Sequence, residues 1–382
     1  MLEYSIPVTF RHRAFFTRDA FCADNGTLID AIDSDNLCEK RILCLVEESV
    51  ALDHPYLTAQ AGVLLDNIAK EATVVTLPGG ELAKNSMQLV DEVHQLVDRH
   101  HIDRHSFIVC VGGGAFLDAV GFGAATAHRG IRLIRMPSTT LAQCDSGVGV
   151  KNGINLFGKK NFNGSFAVPW AVINDFSLLA TQPADTRHIG LVEALKVGLI
   201  KDAAFVEFIA SHVDELNAFE PETVEHVIKE SARLHMEHIA TGGDPFENGS
   251  SRPLDFGHWA AHKLEQMTNF EFSHAEAVAV GLTLDVLYSA RVGLLDEAVA
   301  QRIIQLVRDL NYPTHHPAML DRSATSGELT VLAGLTEFRE HLGGQLTVCM
   351  LTAIGQGIDV HEIDHALMDE CIHELNAELI PA

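Results

Sequence analysis

The sequence predicts an α/β domain followed by an all-α domain, and three observations carry that prediction. Over the first half, short apolar runs alternate with stretches whose apolar residues recur at helical spacing, the pattern of a mostly parallel sheet flanked by helices. From about residue 184 the short runs stop and long helical patterns take over. A chain of 382 residues, 47% of them hydrophobic, also exceeds the size that one core usually serves, so two domains are expected.

In chain order, "RILCLVEESV" (41–50), "ATVVTLPGGE" (72–81), "SFIVCVGGG" (106–114), "IRLIRMPSTT" (131–140) and "AVINDFSLL" (171–179) read as strands. They are short, rich in apolar and β-branched residues, and bounded by turn-forming or polar ones. Segments 56–70 and 82–100 between them read as helices. The change of pattern at "ATQPAD" places the boundary near 180–185, giving domains 1–183 and 184–382. Beyond it, 186–201, 222–240, 258–268, 274–292 and 296–310 read as helices, and no repeat or low-complexity tract interrupts them.

Composition narrows the partners. With 52 acidic against 27 basic residues the formal charge is −25, which repels phosphate backbones and anionic lipid, so neither nucleic acid nor a membrane surface is an expected partner. Seven cysteines without a CxxC pair argue against a disulfide framework; those in "ILCLV" and "FIVCV" read as buried thiols. The start "MLEYSIPVTFRHRAFF" lacks the pattern of a signal peptide, and no segment is apolar enough to span a membrane. The expected location is the cytoplasm.

Three stretches carry candidate chemistry. In "VCVGGGAFLDAVGFGAA", Gly112, Gly113 and Gly114 follow a strand and open a helix. There the missing Cβ atoms and the free helix-start amides suit a phosphate, although glycine turns also serve structure alone. Glu47 ends the first of these strands and Glu81 and Lys84 follow the second. Such strand-end polar groups suit a dinucleotide lying across the carboxyl edge of a Rossmann-like sheet. The second stretch, "CDSGVGVKNGINLFGKKNFNG" (144–164), gathers Lys151, Asn152, Lys159, Lys160 and Asn161 without helical or strand periodicity. It reads as a solvated loop or as an anion site built from lysine charge and asparagine donors.

The third stretch, "LDFGHWAAHKLEQMTNFEFSHAEAVAVG", places His258, His262 and His274 within seventeen residues. His258 and His262 are four apart and share a helix face, and His274 begins the next helix. Zinc accepts nitrogen and carboxylate ligands and, in catalytic sites, keeps a position open. A carboxylate is on hand in "GLVEALKVGLI", where Glu193 and Lys196 interrupt an apolar helix. Buried charges are costly unless paired or metal-bound, so metal binding is favoured over purely structural histidines.

Taken in order, GGGxxxD, "HRGIRLIRMPSTTLAQCDSGVGVKNGIN", "GKKN", "VEALKVG", "DFGHWAAH" and "SHAEAVAVG" resemble the sugar phosphate cyclases, the family of 3-dehydroquinate synthase, from about residue 40 to 360. The resemblance implies the dehydroquinate synthase-like fold and an NAD-dependent, zinc- or cobalt-containing homodimeric carbon–oxygen lyase. By motif it implies that Glu193, His258 and His274 are the metal ligands and that His262 meets substrate or its phosphate. Lys151, Lys160, Asn161 and Asp145 fall where the family holds substrate, and Lys196 matches a lysine near the metal. Arg129 matches an arginine that reaches the neighbouring subunit's site. Glu47, Glu81, Lys84, Gly113, Gly114, Asp118, Thr139, Thr140 and Thr181 match NAD-contacting positions. The implied reaction oxidises a hydroxyl transiently, eliminates phosphate, restores the hydroxyl and closes a carbocycle by an intramolecular aldol step, with no net redox change.

Departures from dehydroquinate synthase bear on the substrate. The position of a carboxylate-binding arginine is Ser251, with Arg252 shifted by one, and Glu237 stands where a carboxylate-binding lysine belongs. A carboxylate facing Glu237 would be repelled, so a neutral phosphorylated ketose such as sedoheptulose 7-phosphate is the expected substrate, and a cyclitol the product. Asp255 replaces an asparagine, and "FREHLGGQL" (338–346) replaces a phosphate-binding lysine segment, where Arg339 or His341 is the substitute. The stretch "GGDPFENGSSRPLDFGHWAAHKLE" most resembles the dehydroquinate-synthase-like proteins of Ebo gene clusters. Three alternatives stay open: 3-dehydroquinate synthase proper, a metal-dependent polyol dehydrogenase of the glycerol dehydrogenase type, and a non-catalytic sugar-phosphate sensor.

Overall fold

The computed structural model describes residues 1–33, 36–157, 159–249, 251–325, 327–341 and 343–377, with backbone only at 185 and 341. Two compact units divide the chain, Met1–Pro183 and Ala184–Ala382.

The first unit is built on a parallel sheet. Strands β1 (Ala14–Thr17), β2 (Arg41–Glu47), β3 (Glu71–Leu77), β4 (Phe107–Gly112), β5 (Arg132–Pro137) and β8 (Ala171–Asp175) lie in the order β1-β8-β5-β4-β2-β3. Successive side chains of a strand point to opposite faces. Ile42, Cys44 and Val46 therefore join one apolar cluster, with Val109 and Ile134, while Leu43 and Leu45 join the other, with Ile108 and Leu133. Burial on both faces is what made these strands legible as continuous apolar runs. The chain leaves β2 for β3 on one side and returns for β4 on the other, so the order reverses at β2 and β4. The carboxyl ends of those strands, Glu47 and Gly112, flank the crevice that such a reversal opens.

Two features of this unit depart from the sequence reading. β1 was not expected. Segment 144–164, read as irregular, folds instead as an antiparallel hairpin of β6 (Lys151–Leu156) and β7 (Lys159–Phe166). Its strands are mostly polar and therefore show no apolar alternation. The strands cross so closely at Gly153 and Gly164 that a Cβ on Gly153 would lie 2.9 Å from the Asn163 carbonyl oxygen.

The second unit is mainly helical, with Ala184–Ile189, Val192–Lys201, Ala203–Ser211, Pro221–Thr241, His258–Met267, His274–Arg291, Glu297–Asp309, Ala333–His341 and His365–Leu375 among its helices. It is not all-α. Strands β9 (Val348–Ala353) and β10 (Gln356–Val360) pair antiparallel, joined through Gly355 at φ +81°. The apolar run "VCML" is buried and anchored when the Leu351 amide donates to Ser289 Oγ at 3.2 Å. Helix His274–Arg291 is buried along nearly all its length, as an all-round apolar helix must be. Among the described residues no helix is long and apolar enough to cross a membrane.

All seven cysteines are unbridged. Burial pushes the thiols of Cys44, Cys349 and Cys371 up to about 12, and that of Cys110 well above its ordinary value. Only thiolate reacts. A thiol reagent at neutral pH is therefore expected to label exposed Cys38 quickly and the buried Cys44, Cys110, Cys349 and Cys371 only after unfolding, read by peptide mass spectrometry. Fast native labelling of Cys44 or Cys110 would contradict the sealed sheet.

Candidate functional site

Glu193, His258 and His274 come together in the second unit. Glu193 sits in the first turn of helix Val192–Lys201 and is 1% exposed. Its Oε1 lies 3.9 Å from His258 Nε2 and 3.7 Å from His274 Nε2. Its Oε2 pairs with buried Lys196 at 2.6 Å, one helical turn on. One ligand atom from each of the three residues falls within a 4.8 Å span.

Backbone geometry brings the two histidines together. His258 begins its helix directly after Gly257, whose φ of +78° is left-handed. Gly257 lies against helix His274–Arg291, where a Cβ on it would stand 2.6 Å from the Leu282 nitrogen, and a Cβ on Gly281 would overlap the Gly257 carbonyl oxygen. His274 is the first residue of its own helix, fixed there because Ser273 and Glu276 cap each other.

Each imidazole is also turned by its other nitrogen. His258 Nδ1 faces the Phe256 carbonyl oxygen at 3.1 Å; a carbonyl only accepts, so Nδ1 carries the proton and Nε2 offers a lone pair. Burial, then Lys196 and His274, pushes the His258 imidazole down to about 3, so it is neutral. His274 Nδ1 stands 3.2 Å from Oε2 of buried Glu265, the carboxylate–histidine arrangement that orients metal ligands. One carboxylate oxygen and two imidazole nitrogens fit a zinc- or cobalt-type ion with a position left open. The His262 ring lies 5.4 Å from that of His258 and 5.8 Å from that of His274. His262, Glu265 and His274 form a second group of suitable spacing. Because Glu265 meets His274 through Nδ1, Nε2 of that ring is left to the Glu193 group.

In the first unit, the nucleotide candidates lie at or after the carboxyl ends of the strands: Glu47, Glu81, Lys84, Gly113 and Gly114 with β2, β3 and β4, Thr139 and Thr140 after β5, and Thr181 after β8. Glu47, expected to meet a ribose, accepts from the amides of Gly80 and Gly113, each at 2.7 Å, and so ties the two glycine turns together. A Cβ on Gly112 would stand 2.5 Å from the Phe116 ring, so internal packing already disfavours a side chain there, whereas one on Gly114 would meet Ser146 Oγ at 2.6 Å and need only that hydroxyl to turn. A Cβ on Gly113 would meet only ordinary contacts. Lys84 pairs with Asp118 at 2.6 Å, and Lys160 approaches Glu81 at 3.7 Å. Thr139 caps the Ala142 amide, Thr140 bonds Gln182, and Thr181 Oγ1 lies 2.8 Å from His54 Nε2.

The lysine hairpin is anchored from below. Arg135 on β5 is 0% exposed, and its guanidinium donates to the carbonyl oxygens of Ser146, Gly149 and Lys151 and to Asn152 Oδ1 at 2.5 to 3.1 Å. Lys151 is thereby held by its own carbonyl while its side chain is exposed. The Asn161 amide donates to Asn155 Oδ1 at 2.9 Å. Asp145 ends the helix Thr140–Cys144, and Arg129 is exposed in a left-handed run spanning His128, Arg129 and Gly130.

Models of the 3-dehydroquinate synthase N-terminal and C-terminal regions match residues 74–188 and 190–329. A 3-dehydroquinate synthase of Halorhodospira halophila is 34% identical over 350 residues, 91% of this chain and 94% of the relative. The chain belongs to the 3-dehydroquinate synthase family. Solved structures agree in fold. The 2-epi-5-epi-valiolone synthase of Streptomyces hygroscopicus, with NAD+ and Zn2+ bound, is 24% identical at a TM-score of 0.86, covering 99% of this chain and all of that one. A 2-deoxy-scyllo-inosose synthase complexed with carbaglucose-6-phosphate, NAD+ and Co2+ is 21% identical at a TM-score of 0.78, covering 94% and 96%.

In this member of the 3-dehydroquinate synthase family, the positions that depart from the motif pattern stand as follows. Arg252 is held by the Glu247 carboxylate and donates to the Glu247 carbonyl at 3.2 Å. Glu237 is more than half exposed and pairs with Arg233 at 2.8 Å. The repulsion argued from Glu237 as a bare carboxylate needs correcting, because Arg233, one turn earlier on the same helix, offsets its charge. Asp255 is half-buried in the turn before His258, and Arg339 is exposed on helix Ala333–His341; the His341 side chain lies outside the described residues. The sequence reading did not single out Arg135, Asn155, Gln182, Glu265 or Asp285. Asp285 and Arg135 carried the same signal that marked Glu193, a charge within an apolar run.

Proposed function

We propose that the chain is a sugar phosphate cyclase that uses NAD and a zinc or cobalt ion to convert a phosphorylated, uncharged-headed ketose into a carbocycle with loss of phosphate. The observation that carries this reading is the Glu193, His258 and His274 donor set with Lys196 against it. Family membership and the ligands of the two solved neighbours support it.

Glu193, His258 and His274 would hold the metal, and the turns at Gly80 and Gly113 with Lys84, Asp118, Thr139, Thr140 and Thr181 would hold NAD. When bound, the ion supplies Lewis acidity and NAD a reversible hydride acceptor. The chain's own groups supply the rest. Lys151 and Lys160 set positive charge against a phosphorylated substrate in a chain of net charge −25, where little else would. His262, beside both metal histidines, is placed to exchange a proton with substrate. Arg129, exposed and held in a strained backbone run, suits a contact with a second copy in a homodimer. The substrate class rests on Arg252, whose Nη1 is paired with Glu247, so its charge is already offset before a substrate carboxylate arrives.

The test is phosphate release by metal-loaded protein with NAD+, given sedoheptulose 7-phosphate or, separately, the carboxylated heptulosonate phosphate, with products read by mass spectrometry. Release from the first alone is expected. Release from the second would make this a 3-dehydroquinate synthase proper, as the named relative is. Release from neither, with NADH accumulating on a polyol, would overturn the cyclase reading.

A further inference from the structure

We infer that Asp285 is a positioning residue for the metal centre, fixing His258 by gripping the residues on either side of it. The inference rests on the metal reading above. Asp285 lies in the middle of helix His274–Arg291 and is 0% exposed. Its Oδ2 accepts from the Gly257 amide at 2.9 Å, and its Oδ1 accepts from Trp259 Nε1 at 2.9 Å. Gly257 precedes His258 and Trp259 follows it, so one carboxylate spans the ligand along the chain.

The residue type is what the task demands. Two N–H donors converge on one side chain, and both are neutral. A carboxylate is acceptor-only at both oxygens, whereas an amide of the same shape offers one oxygen and turns an NH2 towards the second donor. A role in packing alone would be met by an apolar side chain, without the cost of burying an acid. The restraint acts on the backbone that carries His258. The ring's rotation is set locally by the Phe256 carbonyl, but the position of its backbone depends on how the left-handed Gly257 seats on helix His274–Arg291. Asp285 belongs to that helix, which also starts with His274. One rigid element thus carries one metal histidine and clamps the chain on both sides of the other.

The test uses the full chain, stripped of metal by a chelator and titrated with cobalt(II) alone, reading affinity and the visible ligand-field spectrum beside the unfolding temperature of the metal-free protein. Asp285→Asn is expected to weaken cobalt binding by about 10- to 100-fold, the range typical of groups that orient metal ligands, and to alter the spectrum. Trp259→Phe removes one of the two donors, so Asp285→Asn is expected to cost less in that background, because the single amide oxygen then serves Gly257; the coupling is read by a double-mutant cycle. If Asp285→Asn does not fold, Trp259→Phe alone carries the test, with weaker cobalt binding expected at an unchanged fold. A merely structural role predicts lower unfolding temperatures with wild-type cobalt affinity and spectrum, and that result would overturn the inference. Failure of the metal reading itself shows separately: the wild-type chain, or the wild type and His258→Ala alike, would take up cobalt no better than a surface site does.

Discussion

His258→Ala and His274→Ala are expected to emerge from purification without stoichiometric metal, whereas His262→Ala keeps its metal and loses turnover. The division follows from the geometry. Nε2 of His258 and of His274 point at the same Glu193 oxygen, while Nδ1 of each is taken by Phe256 or Glu265. Loss of one ligand leaves a carboxylate and one imidazole, too few for a closed site that competes with water. Lewis-acid stabilisation is worth several kcal/mol, and each 1.36 kcal/mol is a decade in rate, so both ligand variants should lose roughly a thousand-fold or more in phosphate release. Metal content by atomic emission and initial rates check the claim. Metal loss in His262→Ala and His274→Ala but not in His258→Ala would show instead that His262, with Glu265 and His274, forms the working site; equal loss in all three would sink the division of roles.

The second large effect is expected at Arg135→Met. The substitution keeps length and apolar bulk but leaves the carbonyls of Ser146, Gly149 and Lys151 and the Asn152 side chain without their shared donor. A buried acceptor left unsatisfied costs about 1–3 kcal/mol. Several together, partly relieved by water, put the loss at about 3–5 kcal/mol, or roughly 10 °C in the unfolding temperature of a unit this size. Because the bonds all lie in the segment leading into Lys151, the surviving folded protein should also show a raised KM for the phosphorylated substrate. Arg135→Lys should rescue little, since an ammonium lacks the planar fork that reaches acceptors on two sides. An unchanged melting curve and KM would mean that the hairpin holds its path without Arg135.

Much of this was legible in the sequence, for identifiable reasons. The parallel strands announced themselves because both faces of "ILCLV" and "FIVCV" are buried, and the group of Glu193, His258 and His274 because histidine and glutamate stand out in apolar helices. The β6–β7 hairpin was not legible: its path is set by a guanidinium from another strand and by backbone contact at Gly153 and Gly164, neither of which leaves a periodic trace. Glu237 misled in the opposite direction. Its identity was plain, but its charge is offset by Arg233, and only the structure pairs the two. Glu47 was expected at the right strand end, but what its oxygens bind there, the amides of Gly80 and Gly113, is a geometric fact with no counterpart in residue order.

The contact between Gly257 and Gly281 has a consequence for how such a site can change over time. Main chain rests on main chain there, with no side chain between, so substitutions at the joint itself cannot widen or narrow the gap between His258 and His274 by degrees. A lineage, or an engineer, seeking a larger or smaller ion would find no gradual route through this joint. A change in what the site can hold would then come in steps, by exchanging a donor or one of the groups behind it, such as Asp285 or Glu265.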